Sequence, residues 1–141
     1  MHVTRLALAA AFAGLLSVTA HAESKMFHAT LNDASEVPPK TGDGKGTLDA
    51  TLDTATKTLT YTLTYAGLSG TPTMAHFHGP AAAGANAGVL VPIPVAASPI
   101  KGTAKLTDAQ IGDLEGGKVY VNIHTQANPG GEIRGQVMGG M

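Results

Sequence analysis

Two short segments of the sequence carry histidines at spacings that suit metal binding. His76 and His78 are one residue apart in MAHFHGP, and His124 follows an apolar run in KVYVNIHT. Residues i and i+2 of a β-strand share one face about 6–7 Å apart, because each residue advances the chain by about 3.3 Å. Two such imidazoles can bind one ion, and a third from a neighbouring strand would complete a three-nitrogen site. The alternative is three polar residues on an ordinary surface.

Further side chains are candidates for the same site. We expect the ring nitrogens of the three histidines to lie within about 4 Å of one another, with His28 as a possible fourth ligand. Glu132 would accept a hydrogen bond from a ligating histidine, or form an exposed ion pair with Arg134. Three more residues are expected to neighbour the ligands: Arg134, Asn122 and Met74. Copper is the favoured ion by the Irving–Williams order, with zinc as the alternative.

Alternating apolar and polar residues predict the elements that must position these side chains. In KTLTYTLTYAGL the leucines and tyrosines fall on one parity and the threonines on the other, which is typical of a half-buried strand. The same test predicts about eight strands, in KMFHATL, GTLDATLD, KTLTYTLTYAGL, MAHFHG, GVLVPIPV, KGTAKL, KVYVNIHT and GEIRGQVM. LTDAQIGDLEGG predicts one short helix capped by Thr107. The sequence therefore predicts an all-β, antiparallel β-sandwich or flattened barrel.

The parity of the strands also predicts which face the histidines occupy. If Phe77 points into the core, His76 and His78 point out together. If Val121 and Ile123 point inward, His124 and Asn122 face the other side. We therefore expect the histidines on a strand face that does not belong to the core.

The amino terminus and the composition restrict the function classes. Residues 1–22 have the basic start, the apolar stretch and the Ala-His-Ala end of a signal peptide, which leaves 23–141 as a single domain. We expect a periplasmic or secreted protein without stable membrane insertion after cleavage. The sequence contains 9 basic and 10 acidic residues and no cysteine. It therefore lacks the basic patch of a nucleic-acid-binding protein, and any stabilisation beyond packing must come from a metal rather than a disulfide.

Three segments resemble the CHRD domain, first described in chordin and common in secreted bacterial proteins. They are FHATLNDASEVPPKTGDGKGTLDATLD, GLSGTPTMAHFHGPAAAGANAGVLVPI and LEGGKVYVNIHTQANPGGEIRGQV. The resemblance extends from residue 26 to residue 138, nearly the whole of the predicted mature chain. The resemblance implies an immunoglobulin-like β-sandwich and no established biochemical activity.

The order of these motifs is also distantly similar to that of Cu/Zn superoxide dismutase. By that resemblance His76, His78 and His124 match three copper ligands, and Arg134 matches the arginine that guides the anionic substrate. The fold it implies is a superoxide-dismutase-like sandwich. The chain departs from the dismutase pattern because it has no cysteine, and no histidine or aspartate between His78 and Val89 to bind zinc. These departures argue against dismutase activity and for a single metal ion.

Two functions follow from these observations. The first is an exported metal-binding protein, with copper favoured, that serves as a carrier, a buffer or a stress protein. The second is an adhesion or protein-interaction module that binds another exported protein through the sandwich faces and holds no metal. We expect neither to be an enzyme.

Overall fold

The computed structural model describes Ser17 and residues 21–140. The predicted signal peptide lies outside the described residues except for Ser17, His21 and Ala22. Among the residues described, no helix is long and apolar enough to cross a membrane.

Within residues 21–140, eight strands and one α-helix form the fold, as the sequence predicts. The strands are β1 (Ser24–Asn32), β2 (Lys45–Asp53), β3 (Thr58–Ala66), β4 (Pro72–His78), β5 (Val89–Ile93), β6 (Ile100–Lys105), β7 (Val119–Thr125) and β8 (Ile133–Gly139). The helix α1 is Asp108–Glu115, and a short 3-10 turn at Asp33–Ser35 follows β1. Thr107 caps α1 in a reciprocal capping box with Gln110, which confirms the predicted helix start.

The strands form one antiparallel sheet in the order β5-β4-β7-β8-β1-β2-β3-β6. The sheet curls on itself into a nearly closed, flattened sandwich. Its two halves meet in the core, where the ring of Tyr61 on β3 packs edge-on against Phe77 on β4 at 5.4 Å. Strand β5 lies at one end of the order and pairs with one neighbouring strand. Pro92 within β5 and Pro94 directly after it suit this edge position, because proline has no backbone N–H to donate to a second strand.

Alternation along β2 and β3 builds one side of the core. Leu48 lies opposite Leu63, and Leu52 lies opposite Leu59, and all four are buried. The intervening threonines and aspartates face water, as the period-two pattern predicts. This hairpin packs against β4, which carries two of the histidines, through the contact of Tyr61 with Phe77.

Strand β7 departs from the expected alternation because both of its faces are buried. Val119, Val121 and Ile123 point into the core as predicted, yet Asn122 and His124 on the other face are also buried. The loop between β4 and β5 covers that face: the Tyr120 hydroxyl donates to the carbonyl of Ala87 at 3.1 Å. The histidine face is therefore separate from the core, and the loop covers much of it, although His76 is only half-buried and Met74 is exposed.

Candidate metal centre

Strands β4 and β7 are neighbours in the sheet, and this pairing brings the histidines of both segments together. The register sets His76 opposite Asn122, His78 opposite Tyr120 and Met74 opposite His124. Residues directly opposite each other share one face, with Cβ atoms about 4.5–5.5 Å apart. All three histidines therefore lie on the same side of the same two strands.

The three rings present nitrogen atoms that lie within 4.8 Å of one another. The shortest contact joins His76 Nδ1 and His124 Nε2 at 3.1 Å. This upper limit of 4.8 Å on the nitrogen–nitrogen distances is slightly larger than the distance of about 4 Å expected from the sequence. Two nitrogens bound to one tetrahedral ion at about 2.0–2.1 Å lie about 3.4 Å apart. Closing the group on one ion thus needs side-chain movements of up to about 1.4 Å.

Two backbone carbonyls fix the tautomers of two of the rings. His78 Nδ1 lies 3.0 Å from the carbonyl oxygen of Ala87, and His124 Nδ1 lies 2.8 Å from that of Pro129. A carbonyl can only accept, so both Nδ1 atoms carry the proton in the neutral rings. The Nε2 atoms of both rings are left with lone pairs that face the space between the histidines.

Asn122 places a further acceptor among these lone pairs. Its Oδ1 lies 3.0 Å from the Nε2 atoms of His78 and His124. An amide oxygen and two unprotonated nitrogens repel one another unless a positive charge lies between them. Turning the amide over would relieve the repulsion, because its Nδ2 would then donate to the rings. A cation among these atoms satisfies all of them at once. In its absence His76 Nδ1 can donate to His124 Nε2 at 3.1 Å. A turned amide would donate to the rings but lose its bond to Glu36.

Glu36 is the residue of this site that sequence reasoning missed. It is buried, and Asn122 Nδ2 donates to its Oε1 at 3.4 Å. Burial raises the pKa of Glu36 above its ordinary value, against the opposing effect of the Asn122 hydrogen bond. The EVPP segment reads as an extended linker in the sequence, and its only signal for this role is an acid in an otherwise apolar stretch.

The surroundings of His76 and His78 favour the neutral form of these two rings. Burial lowers the pKa of His76, and the neighbouring His124 and His78 lower it further. Burial also lowers the pKa of His78, against the hydrogen bonds to Ala87 and Asn122. Neutral imidazole is the metal-binding form, so these rings are prepared to bind a cation at neutral pH.

Arg134 fastens the covering loop over His78. Its guanidinium lies over the Tyr120 ring at 3.5 Å, and the His78 ring stacks on Tyr120 at 4.7 Å with the two planes 2° apart. Arg134 also donates to Asn86 Oδ1 at 2.9 Å and to the carbonyl oxygen of Ala85 at 2.6 Å. Because Arg134 is buried and both terminal nitrogens of its guanidinium donate to the loop, it is a structural clamp rather than an exposed guide for anions.

Glu132 contacts none of the three histidines. It is buried and accepts from the Ser69 N–H and hydroxyl, both at 2.6 Å, from the Thr125 hydroxyl, and from Asn128 at 3.2 Å. The expected bond to a ligating histidine is made instead by the carbonyl of Pro129. Glu132 therefore anchors the loop before β4 to the end of β7.

Replacing Glu132 by glutamine should reduce the free energy of unfolding by about 2 kcal/mol at neutral pH, because bonds to a carboxylate are stronger than those to an amide. Burial alone would raise the pKa of Glu132, but its hydrogen bonds lower it below the ordinary value. The carboxylate thus stabilises the fold above about pH 4.3, and this contribution disappears as pH falls through the lowered pKa. Urea unfolding at pH 7 and at about pH 3 measures both effects.

The matched control is Glu115→Gln, because Glu115 forms an exposed ion pair with Lys25. Its effect should stay below about 0.5 kcal/mol. Equal effects of the two substitutions would show that Glu132 is not the anchor described above.

Gly131→Ala should unfold the site locally and cost about 2 kcal/mol. Gly131 has φ +125°, and a Cβ there would overlap Glu36 Oε1 and the Asn122 amide. Gly130→Ala is the neighbouring control, since a Cβ at that position meets nothing within 4 Å. Thermal melting of both variants checks this, and a Gly131→Ala protein as stable as Gly130→Ala would contradict it.

The structure places the two remaining candidates at different distances from the cluster. Met74 lies beside it on β4, opposite His124, with its side chain 45% exposed. His28 lies on β1 and contacts Asp49 Oδ1 on β2 at 3.0 Å, outside the three-histidine group. Strand β1 is separated from β7 by β8, which explains why His28 does not join the other ligands.

The comparisons with known proteins identify one family. The family model for the CHRD domain matches residues 27–137, from β1 to β8. No curated protein matches the chain, and no solved structure does. The match contains every residue of the cluster and both loops that cover it.

Proposed function

The chain belongs to the CHRD domain family, and on that premise we propose that it is an exported protein that binds one metal ion through His76, His78 and His124. The favoured ion is copper, and the role is that of a carrier or buffer. Zinc is the alternative ion.

The observation that carries this proposal is the convergence of lone pairs. Two ring nitrogens held unprotonated by carbonyls on their far sides point at one space, with a third ring 3.1 Å from one of them. Carbonyls that fix the tautomer of ligating histidines are a regular feature of metal sites. Solvent-exposed histidines would instead form these hydrogen bonds with water.

The donor set favours copper over zinc. Three imidazoles accept either ion, and Cu(II) binds nitrogen donors more tightly in the Irving–Williams order. The chain offers no thiolate to favour zinc, since it has no cysteine. An exported, oxidising setting would supply Cu(II), and residues 1–22 support export by their signal-peptide pattern.

The site supports metal binding without catalysis better than it supports superoxide dismutase activity. Although the three histidines follow the order of copper ligands in Cu/Zn superoxide dismutase, the matching arginine is buried under the loop and bonded to Asn86 and Ala85. An arginine in that position cannot attract an anion from solvent.

Metal analysis of the mature protein, purified without a histidine tag, tests the proposal. We expect one equivalent of copper after incubation with equal amounts of Cu(II) and Zn(II) followed by gel filtration. A protein that emerges free of both metals would refute the proposal and favour the interaction-module function.

A further inference from the structure

The cluster is closed on one side and open on the other. His124 and Asn122 are buried under the loops, whereas His76 is half-buried and Met74, two residues earlier on β4, is exposed. An ion that enters the cluster must therefore pass the end of the site where Met74 lies.

Met74 lies next to the three histidines on the same face of β4 and β7. It lies directly opposite His124 and shares a strand face with His76, so its Cβ is about 4.5–5.5 Å from that of His124. The flexible Met side chain has three rotatable bonds and can turn its sulfur toward the ion. Single exposed apolar side chains are common in proteins, so it is the position of Met74 beside the histidines, and not its exposure, that makes it a candidate ligand.

We propose that the thioether of Met74 is the fourth ligand and that it makes the site accept Cu(I) as well as Cu(II). This inference rests on the proposed function, because it needs the three histidines to bind copper. Thioether sulfur is a soft donor that selects Cu(I), whereas zinc sites use thiolate, imidazole and carboxylate. Met74 thus discriminates copper from zinc and holds the ion at the open end of the site.

Anaerobic competition for Cu(I) against bicinchoninate, with wild type and Met74→Leu, tests the proposal. We expect Met74→Leu to lose about 30-fold or more in Cu(I) affinity and to keep its Zn(II) affinity within about threefold. The control is Met138→Leu, which changes an exposed methionine on β8 and should alter neither affinity. X-ray absorption of the Cu(I) protein should show a sulfur neighbour in wild type that is lost in Met74→Leu.

The outcomes separate this inference from the function on which it rests. Equal Cu(I) affinities of wild type and Met74→Leu, or the absence of a sulfur neighbour in wild type, overturn the role of Met74 while Cu(II) binding at the histidines stands. A parallel loss of Zn(II) affinity in Met74→Leu would also overturn it, because the residue would then be a general support. Failure of wild type to bind any copper refutes both proposals.

Discussion

The His124→Ala variant should melt at the same temperature with and without Cu(II), whereas the wild type should be stabilised by about 2.7 kcal/mol at a hundredfold excess over Kd. His124 contributes the nitrogen closest to another ring, 3.1 Å from His76 Nδ1. Its removal leaves two nitrogens from one strand, which bind an ion far more weakly. Melting curves with and without Cu(II) at pH 7.5 measure the difference.

Because His124 is buried, its replacement also lowers the stability of the metal-free protein. The informative quantity is therefore the copper-dependent change within each variant. His28→Gln is the matched control, since His28 lies outside the cluster and should leave the copper gain intact. The assignment of the ligands would be contradicted if Cu(II) stabilised His124→Ala as much as wild type, or if it no longer stabilised His28→Gln.

Arg134→Ala should lower the free energy of unfolding by about 3–4 kcal/mol. The substitution leaves a cavity beside Tyr120 and removes the charged donor from the carbonyl of Ala85 and from Asn86. The loop over His78 then loses its clamp, and the Ala87 carbonyl, still bonded to the Tyr120 hydroxyl, holds the ring less firmly. Urea unfolding measures the loss, and hydrogen exchange should show faster exchange in residues 79–88.

The control is Arg134→Lys, which keeps the positive charge but cannot reproduce the planar, forked donor. We expect it to recover only part of the stability. If the free energy of unfolding of Arg134→Ala lies within about 0.5 kcal/mol of the wild-type value, Arg134 is not a structural clamp. Attraction of an anionic substrate then becomes the better explanation of this arginine.

Much of the fold follows from local patterns. The alternation in TLTYTLTYA, the proline of VLVPI and the capping residues of DAQIGDLE each predict an element that the structure contains. Parity along β4 and β7 was also enough to place three histidines on one face, because it depends only on which residues enter the core.

The loops that cover the histidine face of β4 and β7 could not be predicted in the same way. Loop residues show no periodicity, so nothing in the sequence indicated that Ala87 and Pro129 would hold the rings or that Glu36 would reach Asn122. Glu132 and Arg134 are charged residues on the outward parity of the last strand, so the sequence predicts that they are exposed. Both are buried, because loops distant in sequence supply hydrogen-bond partners for them.

Electron paramagnetic resonance of the wild-type protein with one equivalent of Cu(II) is the most direct test of the metal site. We predict a single copper species whose hyperfine structure requires three imidazole nitrogens, and a different spectrum with fewer nitrogens in His124→Ala. A wild-type spectrum of hydrated copper, or one that His124→Ala leaves unchanged, would contradict the three-histidine site.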